Sequence, residues 1–272
     1  MRAEFTFLKM SGSGNDFLVF DARAGLAPGL DLPETIVRLC ARGSGVGADG
    51  VVFIEPASDA LFRMRYHNAD GSRAELCGNA ALCSTRLAVE LGLAKEGHEF
   101  RFQTDSGPMR ARMEGGVPEI FFAAVSEVHP SAQGIAPLEG EERLGYALVG
   151  VPHLVIACAN AEQAEVAGRG SVLRRHSSLP NGANVNFVSR SDDVWRYRTY
   201  ERGVEAETLA CGTGAVATAI LLAEWGETAD PVRLRTSSGE VLTVRLSSAA
   251  GEWYPSLSGP ARIVYEGMLR EY

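Results

Sequence analysis

Two stretches of the 272-residue chain each set a cysteine directly before a glycine-opened helical pattern: AELCGNAALCSTRL (Ala74–Leu87) and ETLACGTGAVATAI (Glu207–Ile220). Aligning Cys77 on Cys211 gives an offset of 134, and six of the sixteen positions counted from each cysteine coincide: the cysteine, the glycine after it, Ala81/Ala215, Leu87/Leu221, Glu90/Glu224 and Gly92/Gly226. Tyr66 and Tyr200 match at the same offset, and Thr104-x-Ser106-Gly107 matches Thr236-x-Ser238-Gly239 at 132. A period this long is not that of a solenoid, whose units run to a few tens of residues; it fits a duplicated domain. The repeat therefore predicts an α+β chain of two pseudo-symmetric domains, each a mostly antiparallel sheet wrapped around a central helix headed by a cysteine.

The rest of the pattern agrees. EFTFLKM, FLVFD, GVVFIEP and LFRMRYHNADG read as strands. DLPETIVRLCAR reads as a helix, with Asp31 as N-cap, Pro33 in its first turn, Glu34 closing a capping box and Gly43 as its stop. A short helical stretch is expected near 161–167, between Asn160 and Gly168, and hairpins at EFRFQTDSG/PMRARME and PVRLRTSSGEVLTVRL. Gly115-Gly116-Val117-Pro118 marks the boundary, giving expected domains of 1–117 and 118–261, with a C-terminal strand at about 262–272 returning to the first.

Composition narrows the function. A net charge of −8 without a basic stripe argues against nucleic acid or an anionic membrane surface as partner. No apolar run approaches the ~18 residues of a membrane span, and the start MRAEFTFLKM lacks the pattern of a signal peptide, so a cytoplasmic protein is expected. Five cysteines without CxxC spacing favour neither a disulfide framework nor a metal site. Cys40, Cys83 and Cys158 read as small buried hydrophobes.

Cys77 and Cys211 differ from these by their position. The first N–H groups of a helix lack internal partners, and the dipole makes that end positive. Small residues follow each cysteine, Gly78-Asn79-Ala80 and Gly212-Thr213-Gly214, so a carboxylate could approach the backbone closely. The same field favours the thiolate, the form that acts as a base. One such turn would more often be a tight helix entry; two at matched positions favour catalysis. Two sulfurs on opposite faces of a carbon α to a carboxylate suit its inversion, one removing a proton and the other supplying one.

The motifs KMSGSGNDF, GVGADG, NADGSRAELCGN, GVPH, NGANVNF and YERGVEAETLACGTG follow one another in that order along the chain. On these motifs the chain resembles the diaminopimelate epimerases, cofactor-independent two-cysteine enzymes, over essentially its whole length. The resemblance implies that Cys77 and Cys211 are the two bases, in epimerisation of LL-2,6-diaminopimelate to the meso form for lysine and cell-wall precursor synthesis. It places the reacting carboxylate on the N–H groups of Gly78, Asn79, Gly212 and Thr213. It also implies that Asn15, Asn68, Asn184, Glu201 and Arg202 hold the substrate's polar groups, that Glu201 and His153 tune the thiols, and that the enzyme is a homodimer without metal or cofactor. Three departures stand out: Val151 where the family often has Asn, Gly50 where some members carry Gln, and ERGVEAET, one residue longer than the common form. Val151 and Gly50 keep open a racemase of another amino acid on the same fold. A non-catalytic carboxylate binder, the rival from another class, would not need both cysteines.

Overall fold

The computed structural model describes residues 5–228, 230–270 and 272. The chain divides into two compact units: the first runs up to Ile120 and resumes at Gly259, and the second is Phe121–Ser258.

In the first unit Phe5–Gly12 lies between Ala261–Leu269 and Asn15–Asp21, antiparallel to both. Asn15–Asp21 pairs in parallel with Gly50–Glu55, and the connection between them carries helix α1, Pro33–Cys40. A parallel pair needs such a crossover, because a tight turn can join only antiparallel neighbours. Gly50–Glu55 then pairs antiparallel with Arg63–Asn68, which meets the hairpin Phe100–Thr104/Gly107–Glu114 in parallel at Arg63↔Gln103. Leu18, Phe20, Val51 and Phe53 form a core with Ile36, Leu39 and Cys40 of α1. The other face packs on α2, Gly78–Glu90. Covered on both faces, GVVFIE reads as a continuous apolar run instead of an alternating one.

The second unit repeats this plan. Glu141–Val149 and Val151–Cys158 form a hairpin, Val151–Cys158 runs parallel to Asn184–Ser191, and that strand is antiparallel to Val194–Glu201. Val194–Glu201 is parallel to Val232–Arg235, which opens a hairpin with Val241–Ala249. The parallel connection again carries a helix, α3 (Val166–Leu173), packed on Leu154, Ile156, Val185, Phe187 and Tyr200. The central helix, α4, spans Gly212–Glu224 and is buried on nearly every face from Gly212 to Leu222. This is the expected α+β fold, doubled.

Four local readings need correction. Asp31 is not the N-cap of α1: Leu32 holds that position, and the Asp31 carboxylate instead accepts from Arg65 Nη1 at 3.0 Å. The helix stops at Cys40, short of Gly43. Near 161–167 there is one 3-10 turn, Ala161–Gln163, capped by Asn160, and the α-helix follows it and runs through Gly168. Finally, Tyr66 and Tyr200 are not structural equivalents. Tyr200 packs in the core under α3, whereas Tyr66 pairs with Val52, outside the core under α1, and meets Phe17 edge-on. The structural counterpart of Tyr200 is His67, which pairs with Val51 as Tyr200 pairs with Val185.

Candidate active site

The cysteine-headed turns have the same geometry. Cys77 is the N-cap of α2 at φ −127°, ψ 117°, and Cys211 is the N-cap of α4 at φ −131°, ψ 111°. Neither thiol caps its helix, and no acidic side chain occupies either first turn, so the positive field at Gly78–Asn79 and Gly212–Thr213 is not neutralised from within the helix. Cys77 is half-buried and Cys211 buried, with its sulfur 3.6 Å from Thr213 Oγ1. The other three thiols fit the reading of inert core residues: burial pushes Cys40 and Cys158 up to about 11 and raises Cys83 further.

The first unit brings Asn15 and Asn79 together. Asn79 Nδ2 donates to Asn15 Oδ1 at 2.7 Å, and Asn15 Nδ2 donates to Asp49 Oδ2 at 3.0 Å, which fixes both amides. Asp49 and Asp16 are then bridged by Arg42, and Lys9 adds a second cation on Asp16 at 2.7 Å. Burial raises the Asp16 carboxyl, but Arg42 and Lys9 outweigh it and hold it below the ordinary value. Asn68 stands at the same end of the sheet, paired with Gly50 in register and bonded through Nδ2 to Ser72 Oγ.

The second unit gathers Asn184, Glu201, Arg202 and His153 in the same way. The Arg202 N–H donates to Asn184 Oδ1 at 2.7 Å, Arg202 Nη1 to Asn181 O, and Thr208 Oγ1 to Glu201 Oε2 at 2.9 Å. His153 pairs with Asn184 across the parallel register, so both point to the α4 face of the sheet. Burial, reinforced by the Arg202 charge, lowers His153 to about 3, so it is neutral through the physiological range. A neutral imidazole can tune a thiol only by hydrogen bonding, not by charge.

Gly50, Val151 and the lengthened turn each have a local account. A Cβ on Gly50 would fall 2.5 Å from His67 O and 2.6 Å from the Tyr66 ring; Tyr66 fills the space a side chain there would need. Val151 stands two residues before His153 on the same face of the strand and is half-buried, an apolar element in a polar row. In ERGVEAET the turn takes Gly203 at φ 93° and Glu205 at φ 57°, and Glu205 is held there by Arg174 and Arg175.

Sequence reasoning missed the supports. Asp49 orients Asn15, while Asn186, Tyr197 and Thr199 form a buried polar group beneath α4. Strand alternation held the signal, since Asn184 and Asn186 share one face of NVNF, and Tyr197, Thr199 and Glu201 share one face of the next strand.

The family model for diaminopimelate epimerase matches residues 7–120 and 145–264. A diaminopimelate epimerase of Gemmatimonas aurantiaca is 45% identical over 97% of this chain and 99% of its own length. One from Chlorobaculum tepidum is 38% identical over 96% and 99%. Among solved structures, a phenazine biosynthesis protein of the PhzF family from Bacillus anthracis superposes with a TM-score of 0.75 at 17% identity, covering 99% of this chain and 100% of that one. A hydroxyproline epimerase from Agrobacterium vitis gives 0.70 at 18% identity, over 99% and 92%. These two show the fold alone. The sequence relatives show more: the chain belongs to the diaminopimelate epimerase family.

Proposed function

We propose that this protein interconverts LL- and meso-2,6-diaminopimelate, with Cys77 and Cys211 acting on one α-carbon from opposite faces. The observation that carries the reading is the pair of cysteine-headed helices with matched cap geometry. The carboxylate next to the reacting carbon sits on the N–H groups of Gly78, Asn79, Gly212 and Thr213. One cysteine, as thiolate, takes the α-proton; the negative charge spreads into the carboxylate, where the two helix ends stabilise it. The other cysteine, as thiol, gives its proton to the opposite face. The proton count is unchanged, and the two sulfurs have exchanged states, ready for the reverse reaction. Asn15, Asn68, Asn184, Glu201 and Arg202 hold the substrate's amino and carboxylate groups, for which amide, carboxylate and guanidinium chemistry is suited. His153 donates a hydrogen bond in this site, and Glu201 adjusts the thiols by its charge. No pyridoxal phosphate or metal enters the scheme.

The enzyme acts in the cytoplasm as a homodimer in this reading. Exposed Val264, Tyr265 and Met268 on Ala261–Leu269 support self-association, and no described helix is long and apolar enough to cross a membrane. Light scattering on the purified protein tests the dimer.

Turnover in D₂O tests the mechanism. A thiol carries one proton, so the hydrogen removed from one face is not the one returned to the other. Early product should carry deuterium at the inverted carbon while residual substrate stays protiated. Product that keeps its original hydrogen would mean a single polyprotic base. Diaminopimelate should also react far faster than lysine, which lacks the second carboxylate; equal rates would assign the protein to another substrate.

A further inference from the structure

The structure assigns to Asn186, with Tyr197 and Thr199, the task of fixing His153 as an Nε2–H tautomer, so that His153 meets the site as a hydrogen-bond donor and not as a base. The inference rests on the reading of Cys211 and its surroundings as half of the catalytic site.

The hydrogen-bond pattern permits one arrangement. Asn186 Oδ1 lies 3.0 Å from Tyr197 Oη and 3.0 Å from Thr199 Oγ1, both hydroxyls able to donate. Asn186 Nδ2 lies 3.0 Å from Leu154 O, which can only accept, and 3.3 Å from His153 Nδ1. Turning the amide over would set its oxygen against the Leu154 carbonyl, two acceptors in a buried place. So Nδ2 uses one hydrogen on Leu154 O and the other on His153 Nδ1. Nδ1 is then an acceptor, and the ring proton of the neutral imidazole is on Nε2.

Nε2 has no hydrogen-bond partner among the described residues, although His153 is fully buried. An orphaned buried donor is costly, and one that persists signals an acceptor supplied during function. The positive Arg202 nearby and the head of α4 on the same face suit an anion, a carboxylate or a thiolate. The group also reaches the cysteine itself, because Tyr197 Oη lies 3.2 Å from the Cys211 carbonyl. Gly214 makes room for it: a Cβ there would fall 2.3 Å from Tyr197 Oη and 2.4 Å from Asn186 Oδ1.

The other buried histidine is an internal control. Arg65 Nη1, a donor only, lies 3.3 Å from His67 Nε2, and His67 Nδ1 lies 3.5 Å from Gly71 O. His67 is therefore the opposite tautomer, with both nitrogens engaged by neighbouring groups of the first unit.

Nitrogen-15 spectra of histidine-labelled protein test the assignment, with signals identified by loss in His153→Gln and His67→Gln. The wild-type protein should show His153 as neutral Nε2–H across pH 6–8, and the neutral form of His67 as Nδ1–H. His153 appearing as Nδ1–H, or titrating near pH 6.5, would overturn the proposal without any variant of the network. Asn186→Asp replaces the donor facing Nδ1 with an acceptor and should move the proton to Nδ1, with kcat falling at least about tenfold and KM changing less. A switched tautomer with unaltered kcat would sink the functional claim. The spectra do not depend on activity, so a failure of the two-thiol mechanism would show separately, in the D₂O experiment.

Discussion

The heads of α2 and α4 share a backbone conformation to within a few degrees, yet they are braced by different chemistry. Asn79 at the head of α2 is held from the side, by a chain through Asn15 and Asp49 that ends on Arg42, whose side chain is 62% exposed. The head of α4 is held from beneath, through the Cys211 carbonyl, by Tyr197, Asn186 and Thr199, all at most 1% exposed. Duplication fixed the scaffold; a handful of side chains then gave each cysteine its own surroundings. A brace that runs to the surface is screened by salt and tolerant of loss. A brace sealed in low dielectric is neither.

The largest effect should erase the comparison altogether. On the two-thiol reading, Cys77→Ala and Cys211→Ala each remove one face's proton donor or acceptor, so each should cost at least about 10²–10⁴-fold in kcat for inversion, measured by chiral separation of the product. Slow hydrogen exchange without inversion can survive in one of them. Substantial epimerase activity in either would end the two-thiol reading. Next comes the small residue two positions into each helix. Gly214→Ala forces Tyr197 and Asn186 apart and should lower stability by about 1–3 kcal/mol, along with kcat. The opposite exchange in the other half, Ala80→Gly, inserts no atoms; it loses one buried methyl and some helix propensity, about 1–2 kcal/mol by urea midpoints, and should leave kcat closer to the parent's. Equal losses of kcat would mean that the two braces do not differ.

Why was the scaffold legible and the bracing not? The cysteine repeat, the TxSG turns and the apolar runs are local signals, and local signals fix elements: the hairpins turn where Gly107 and Gly239 adopt φ of 107° and 84°. The bracing is non-local. Asp49 reads as a loop acid until the strand pairing sets it against Asn15 and Asp16. Asp31 shows the converse, a cap-forming residue by local rule that is claimed by Arg65 from a neighbouring strand. The Tyr66/Tyr200 identity misled because equal offset is not equal register. One residue of slip turns a side chain to the other face, and these two tyrosines serve opposite faces of their sheets.

Acid should separate the halves next. His153 is held at about 3, far below its unfolded value, so the unfolded chain binds a proton that the native protein refuses. The stability this represents is complete above pH ~6.5 and is lost as pH falls toward 3, at a slope approaching about 1.4 kcal/mol per pH unit. Burial lowers His67 too, but the Gly71 carbonyl opposes the shift. In denaturant titrations between pH 6.5 and 4, His153→Gln should flatten the pH dependence more than His67→Gln does. The reverse order would place the more strongly desolvated imidazole in the first unit.

The smallest effect should come from the exposed end of the first brace. Arg42→Ala removes the cation that bridges Asp16 and Asp49, but Lys9 remains on Asp16, and Asn15 keeps its bond to Asp49. The loss should stay below about 1 kcal/mol and shrink further in high salt, as expected for a screened surface pair. Arg42 also helps hold the Asp16 carboxyl below its ordinary value. That contribution is present above the unfolded pKa and disappears as pH falls through the folded one, so the variant should approach the parent protein in acid. A deficit that instead persisted in molar salt and at low pH would show that Arg42 acts as part of a sealed network like the one beneath Cys211, and the contrast between the two cysteine heads would be lost.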